Sequence, residues 1–223
     1  MQTVREREHI STSTNLKKYQ SHNVLKRLII KRFNLQVAGV IDRLKPQGVL
    51  DAGCGHGFVM SFLSERSPSV EFCGLDFSLD ALHYARRIVP AASLLCGDVT
   101  QLPFRDDSFD LVICFGVLPY LREPRIALQE FGRVTGGHVL LAVANEPWFR
   151  LANVLSLTHL GDLGNPGFLH HWSRRSFIEL VSQELEVASV MTPFPWTLVL
   201  ASSRVRPSGY ARRVEGRGVV SRP

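Results

Sequence analysis

The residues best suited to chemistry form a short run, Asp51-Ala52-Gly53-Cys54-Gly55-His56-Gly57-Phe58. An apolar stretch ends there in an acid, and glycines at alternate positions lead into a helical pattern. Glycines allow a tight turn and the close approach of a ligand to the backbone. A helix beginning just after the turn offers unpaired N–H groups to an anionic group. Two more acids follow short apolar runs, in Gly74-Leu75-Asp76-Phe77-Ser78 and in Cys96-Gly97-Asp98-Val99. An acid ending a second strand can bond both hydroxyls of a ribose. Singly, each acid reads equally well as a turn former or a helix cap. Together, in this order and spacing, they argue against independent readings of all three as mere turn residues.

A dinucleotide site would carry its third glycine at position 58, where this chain has Phe58, and Gly57 comes one place early. The pattern D-x-G-x-G-x-G resembles motif I of the class I S-adenosylmethionine-dependent methyltransferases. The stretch Leu102-Pro103-Phe104-Arg105-Asp106-Asp107-Ser108-Phe109-Asp110-Leu111-Val112 is similar to that of their type 11 branch, which includes ubiquinone and menaquinone methyltransferases. The resemblance covers residues 46–144 well. It implies S-adenosylmethionine as cofactor and a seven-strand Rossmann-like α/β fold, sheet order 3-2-1-4-5-7-6, with strand 7 antiparallel. It also implies cofactor contacts at Asp51, Ala52, Gly53, Gly55 and Gly57. Asp76 would hold the ribose, Phe77 would lie on the adenine face, Asp98 and Val99 would meet the adenine edge, and Phe115 would be a further cofactor contact. Asp106 and Asp107 are read as turn residues.

Methyl transfer is an in-line displacement, so positioning supplies most of the acceleration. An O- or C-acceptor must also lose a proton, commonly to His, Glu or Asp. The acceptor belongs above the fourth and fifth strands. The long connection 144–172 after the fifth strand is therefore the place to look, since long loops are usually functional. It ends in His170, His171 and Trp172, and begins with Asn145 and Glu146. The two histidines are candidates for a general base. Asn145, Glu146 and Trp172 are candidates for acceptor contact, as is Tyr19 ahead of the core. Packing or solvent exposure is the plainer reading of the histidines. His138 is expected to pack inside a strand, and His56 to face solvent from its turn.

The elements that must position these groups follow from periodicity. Residues 22–45 carry Leu25, Leu28, Ile29, Phe33, Val37, Val40, Ile41 and Leu44 at helical spacing. Short apolar runs then alternate with helical stretches, which implies a parallel sheet covered on both faces. Ser78 and Ser173 stand as helix caps. A helix is expected within 147–157. Strands near 185–192 and 196–202 are joined too closely for a parallel crossover and must be antiparallel. Three segments result: a polar start and basic helix over 1–45, a catalytic domain over 46–203, and a disordered Arg-rich tail over 204–223.

Composition narrows the partners. The net charge of +6 is unevenly spread. Residues 15–45 hold eight Lys or Arg against Asp42, and residues 204–223 hold six Arg against Glu215, while 46–203 have six more acids than bases. An acidic core is not built to grip nucleic acid, and the fourth strand leads into CFGVLPY rather than an amino-methylating motif. A small organic acceptor, lipid- or quinone-like, fits better. The basic helix reads as a solvated face, or as a peripheral contact with anionic membrane. Cys54, Cys73, Cys96 and Cys114 have no metal spacing and read as buried reduced thiols of a cytoplasmic protein. The first residues, MQTVREREHISTST, lack the apolar stretch of a secretory leader. Two other functions remain open: a non-catalytic module that keeps the cofactor pocket, and a nicotinamide dehydrogenase. Phe58 and the late antiparallel strands argue against the latter. The oligomeric state has no sequence signal.

Overall fold

A computed structural model describes residues 24–146 and 168–204. Seven strands form one sheet: β1 (Gly48–Ala52), β2 (Glu71–Asp76), β3 (Ser93–Cys96), β4 (Phe109–Phe115), β5 (Thr135–Ala144), β6 (Leu185–Met191) and β7 (Trp196–Ser203). Their order is β3-β2-β1-β4-β5-β7-β6, with β7 antiparallel to both neighbours and the other pairs parallel. The expected order and the antiparallel pair are both observed.

Helices cover both faces. On one lie α1 (Val24–Leu44), α2 (Phe58–Arg66) and α3 (Leu79–Ile88); on the other, α4 (Pro124–Val134) and α5 (Arg174–Glu184). Period-two alternation along the strands divides the core. In β4, Leu111 and Ile113 join Phe33, Val37, Ile41, Met60 and Leu63, whereas Val112 and Cys114 join Leu128, Phe131, Phe177 and Val181. Ser78 and Ser173 cap α3 and α5 by accepting from the Ala81 and Ser176 N–H groups.

The apolar stripe expected along α1 holds only in part. Phe33, Val37, Val40 and Ile41 are buried, but Leu25 and Leu28 are 63% and 57% exposed. Those residues precede Phe33, the first to reach the core, so the helix outruns the body it packs on. Leu102–Val112 turns out to be chiefly a structural device. The Arg133 guanidinium donates to Leu102 O, Phe104 O, Asp106 and Glu130, while Glu130 accepts from the Leu102 N–H. Asp110 Oδ2 accepts from the N–H groups of Gln47 and Gly48 at 2.8 and 2.9 Å, tying the start of β1 to β4. Asp107 takes a positive φ of 54°, a turn residue as expected.

Arg133→Met should unpair two backbone carbonyls and leave the Glu130 carboxylate with the Leu102 N–H alone. Partial exposure limits the cost to about 2 kcal/mol, or a melting temperature lower by roughly 4–8 °C. Differential scanning calorimetry checks this, and a shift under a degree would show that the loop holds without its arginine. The expected helix within 147–157, Tyr19, the polar start and all of the Arg-rich tail after Arg204 lie outside the described residues.

Candidate functional site

Asp51, Asp76 and Asp98 stand at or just beyond the carboxyl ends of the parallel strands β1, β2 and β3. Asp51 is 3% exposed, and its carboxylate has no hydrogen-bond partner among the described residues. Burial, and secondarily the Asp76 charge, pushes its pKa up to about 7. Asp76 Oδ2 accepts from the Gly55 N–H at 2.8 Å and Oδ1 from the Ser78 N–H at 2.9 Å. Its carboxylate is thereby fixed across the mouth of the glycine turn. Asp98 Oδ1 accepts from the Thr100 N–H and hydroxyl at 2.8 and 2.7 Å, so Asp98 is indeed a turn former, with Oδ2 left over.

Gly53, Gly55 and Gly57 have φ of 84°, 52° and 76°. The reason differs from the one expected at two of them. A Cβ on Gly53 would lie 2.2 Å from Val117 Cγ2, and one on Gly57 would lie 3.1 Å from Ala85 Cβ. At both it is the protein, not a ligand, that fills the space. Gly116 is the contrary case: after β4 at φ 73°, with nothing within 4 Å of an added Cβ. No side chain caps α2, whose N-cap is Gly57, so its N-terminal amides are left to other partners. Around Asp76, Phe77, Leu79 and Leu95 are 44%, 59% and 39% exposed. A buried acid, a fixed acid and bare apolar surface on one edge offer the acceptors and the apolar face that a nucleoside needs. Val99 is buried and Ala52 fully so. Phe115 packs edge-on against Phe33, with centroids 5.2 Å apart.

His56 does not face solvent as expected. It is 5% exposed, stacked near Phe58 and edge-on to Tyr84 at 5.1 Å, with Nδ1 unpartnered. Desolvation lowers its pKa, which favours the neutral imidazole. His138 lies within β5, half-buried, with its pKa also lowered by desolvation. Cys96 is exposed, so the expectation of buried thiols fails there, and all four thiols are free. Sequence reasoning also missed Asn34, buried beside Phe33 with Oδ1 unpartnered. An isolated amide inside a helical apolar stripe gives no periodic signal.

Beyond β5 the candidates for acceptor chemistry separate. Glu146 Oε1 lies 3.5 Å from His171 Nδ1, with the two side chains 14% and 42% exposed. The Glu146 N–H donates to Trp172 O at 3.1 Å, which holds the two segments together. His170 is used differently: its ring stacks on Trp172 at 5.2 Å and 11°, and Nε2 lies 3.4 Å from Arg122 O. Trp172 also packs against Phe177. Asn145 Oδ1 accepts from the Arg174 N–H, fixing the start of α5. The N–H groups of Leu169 and His170 both donate to Pro119 O, so this wall is pinned to the turn Leu118–Tyr120 after β4. Among the described residues, no group of three or more His, Cys, Asp or Glu is placed to hold a metal ion.

Residue Asp51 should shape stability as well as binding. Its folded pKa lies above its unfolded one, so the folded chain binds the extra proton between about pH 4 and 7. Stability of the ligand-free protein then falls as pH rises through that window and levels off above it. Asp51→Asn should flatten this slope and raise the melting temperature at pH 8 by at least roughly 2–4 °C, about 1 kcal/mol. The same change should weaken binding of a cationic ligand. A variant less stable than the parent at pH 8 would contradict an unpaired buried charge.

Residues 50–141 match the family described as "Methyltransferase domain". Among curated proteins, the chain is 37% identical over 122 residues to a demethylmenaquinone methyltransferase of Renibacterium salmoninarum, covering 53% of this chain and 50% of that one. It is 31% identical over 137 residues to a malonyl-[acyl-carrier protein] O-methyltransferase of Halorhodospira halophila, covering 59% and 46%. The chain thus spans about half the length of the curated relatives it matches. Among solved structures, the PH0226 protein of Pyrococcus horikoshii shares the fold with TM-score 0.63 and 20% identity, over 82% of this chain and 93% of that one. So does a putative methyltransferase of Haloferax volcanii, solved with the Trm112 methyltransferase activator: TM-score 0.59, 21% identity, over 79% and 94%.

Proposed function

We propose that this chain, whose residues 50–141 match a methyltransferase domain family, is a class I methyltransferase of the type 11 branch that transfers a methyl group from S-adenosylmethionine to a small organic acceptor. The observation that carries the reading is the fixed Asp76 carboxylate beside the unpartnered Asp51, on one carboxyl edge with exposed Phe77. The cofactor supplies an electrophilic methyl on a sulfonium. The chain's residues do the rest. Asp76 takes the ribose hydroxyls, Phe77 the adenine face and Asp98 Oδ2 the adenine amino group. Asp51, ionised once a cation lies beside it, compensates positive charge. Gly55, its N–H held by Asp76, sets the turn's shape, and the uncapped start of α2 offers amides to a carboxylate. Val99 and Ala52 floor the pocket, and Phe115 closes it under Phe33.

Proton removal falls to His171. Glu146 beside Nδ1 favours the tautomer protonated there, which leaves Nε2 as the acceptor. Glu146 also stabilises the imidazolium that forms. His170, stacked on Trp172, and Asn145, bonded to α5, are positioning residues of this wall. Residues 46–203 are the catalytic domain, and α1 roofs it through Phe33. A cytoplasmic setting is supported by the four free thiols. The acceptor is small, with a lipid- or quinone-like molecule favoured by the likeness to a demethylmenaquinone methyltransferase.

Incubating the purified chain with methyl-labelled cofactor and a metabolite extract, then identifying labelled products by mass spectrometry, tests the reading. One dominant labelled small molecule is expected. Undiminished cofactor binding with no labelled product from any extract would favour the non-catalytic module instead.

A further inference from the structure

The exposed start of α1 has no part in the site just described. Val24, Leu25 and Leu28 are 68%, 63% and 57% exposed, and Leu35 is 41% exposed. Val24, Leu28, Lys31 and Leu35 recur at helical spacing on the side opposite Phe33, Val37 and Ile41, with Arg32 beside them. Arg27, Lys31 and Arg32 are exposed as well. Between Glu8 and Asp42 the chain has six Lys or Arg and no acid.

Where this segment stands matters as much as its composition. Phe33 packs on Phe115, the last residue of β4, and on Trp196, paired with the last residue of β5. Phe33 therefore marks the carboxyl edge of the sheet. The nine residues before it extend about 13 Å beyond that edge at 1.5 Å per residue. That is the side on which cofactor and acceptor meet.

We propose that the projecting start of α1 docks the protein on an anionic lipid surface, with Val24, Leu25 and Leu28 entering the interface and Arg27, Lys31 and Arg32 meeting headgroup phosphates. Interleaved apolar and basic residues on one helix face fit the boundary between acyl chains and anionic headgroups. A second copy of the chain is a poorer occupant, because it would present the same uncompensated positive face. Docking brings the acceptor edge against the bilayer, so a lipid-dissolved acceptor could enter without crossing water. Only this last consequence rests on the methyl-transfer reading; the docking itself does not.

Co-sedimentation of the full chain with vesicles tests the proposal. Binding is expected to phosphatidylcholine vesicles containing phosphatidylglycerol, and not to phosphatidylcholine alone. The variants Leu25→Glu/Leu28→Glu and Lys31→Glu/Arg32→Glu should each lower the partition at least roughly tenfold. Melting temperature and cofactor affinity should stay unchanged, so a failure here is distinct from a failure of the enzyme reading. Three results would overturn the proposal. The first is no binding to anionic vesicles at low salt. The second is binding that survives both variants and is lost on truncation after Ser203. The third is a concentration-dependent dimer that Leu25→Glu/Leu28→Glu abolishes.

Discussion

Replacing His171 by Gln should lower turnover by roughly 10²–10⁴-fold, the range typical of a lost general base. The same change at His170 should leave turnover within about threefold, well below that range. The contrast comes from partners. His171 has a carboxylate at Nδ1 and is 42% exposed. The His170 ring is stacked on Trp172, with Nε2 3.4 Å from a backbone carbonyl, so its loss disturbs packing first. Glu146→Gln should give an intermediate loss, since it removes the charge that favours the imidazolium but not the imidazole. Cofactor affinity should be unaffected in all three variants. Equal losses at His170 and His171, tracking melting temperature, would show both to be structural.

Loss of the Asp76 carboxylate should have the largest effect on cofactor binding. Two charge-assisted bonds to a ribose are worth about 3 kcal/mol or more together, which is roughly a hundredfold in affinity. Asp76→Ala also frees the N–H groups of Gly55 and Ser78, so the turn and the start of α3 lose their tie. Asp76→Asn separates the two effects. Its amide oxygen can still accept from one N–H, and affinity should fall less than in the alanine variant. Calorimetric titration of all three proteins checks the order. An alanine variant that binds within about threefold of the parent would remove Asp76 from the ribose site.

Local chemistry explains what the sequence made legible. Strand order followed from resemblance, but the antiparallel end followed from physics: Thr192-Pro193-Phe194-Pro195 cannot span a crossover, and β6 and β7 do pair antiparallel. Ser78 and Ser173 were readable as caps because the capping interaction lies within three residues. The three acids were readable because strand ends and turns are local. Contacts that join distant segments left no such trace. Nothing near Glu146 in sequence announces His171, and the two appeared as rivals until the fold brought them together. The purpose of Gly53 was likewise hidden, because the neighbour that forbids its Cβ is Val117, 64 residues on. His56 looked like a turn residue in water, but Phe58 and Tyr84 enclose it. The α1 stripe misled for another reason. Periodicity shows that a face is apolar, not that anything is there to cover it.

The central claim is that S-adenosylmethionine lies along the carboxyl ends of β1, β2 and β3. Amide hydrogen exchange with and without the cofactor tests this most directly, since it reports where binding occurs without an acceptor. The account predicts protection in peptides containing Gly53–Gly57, Asp76–Leu79 and Gly97–Thr100. It predicts no such protection from a nicotinamide dinucleotide. No protection by S-adenosylmethionine in these three segments, or the same pattern from the dinucleotide alone, would contradict it.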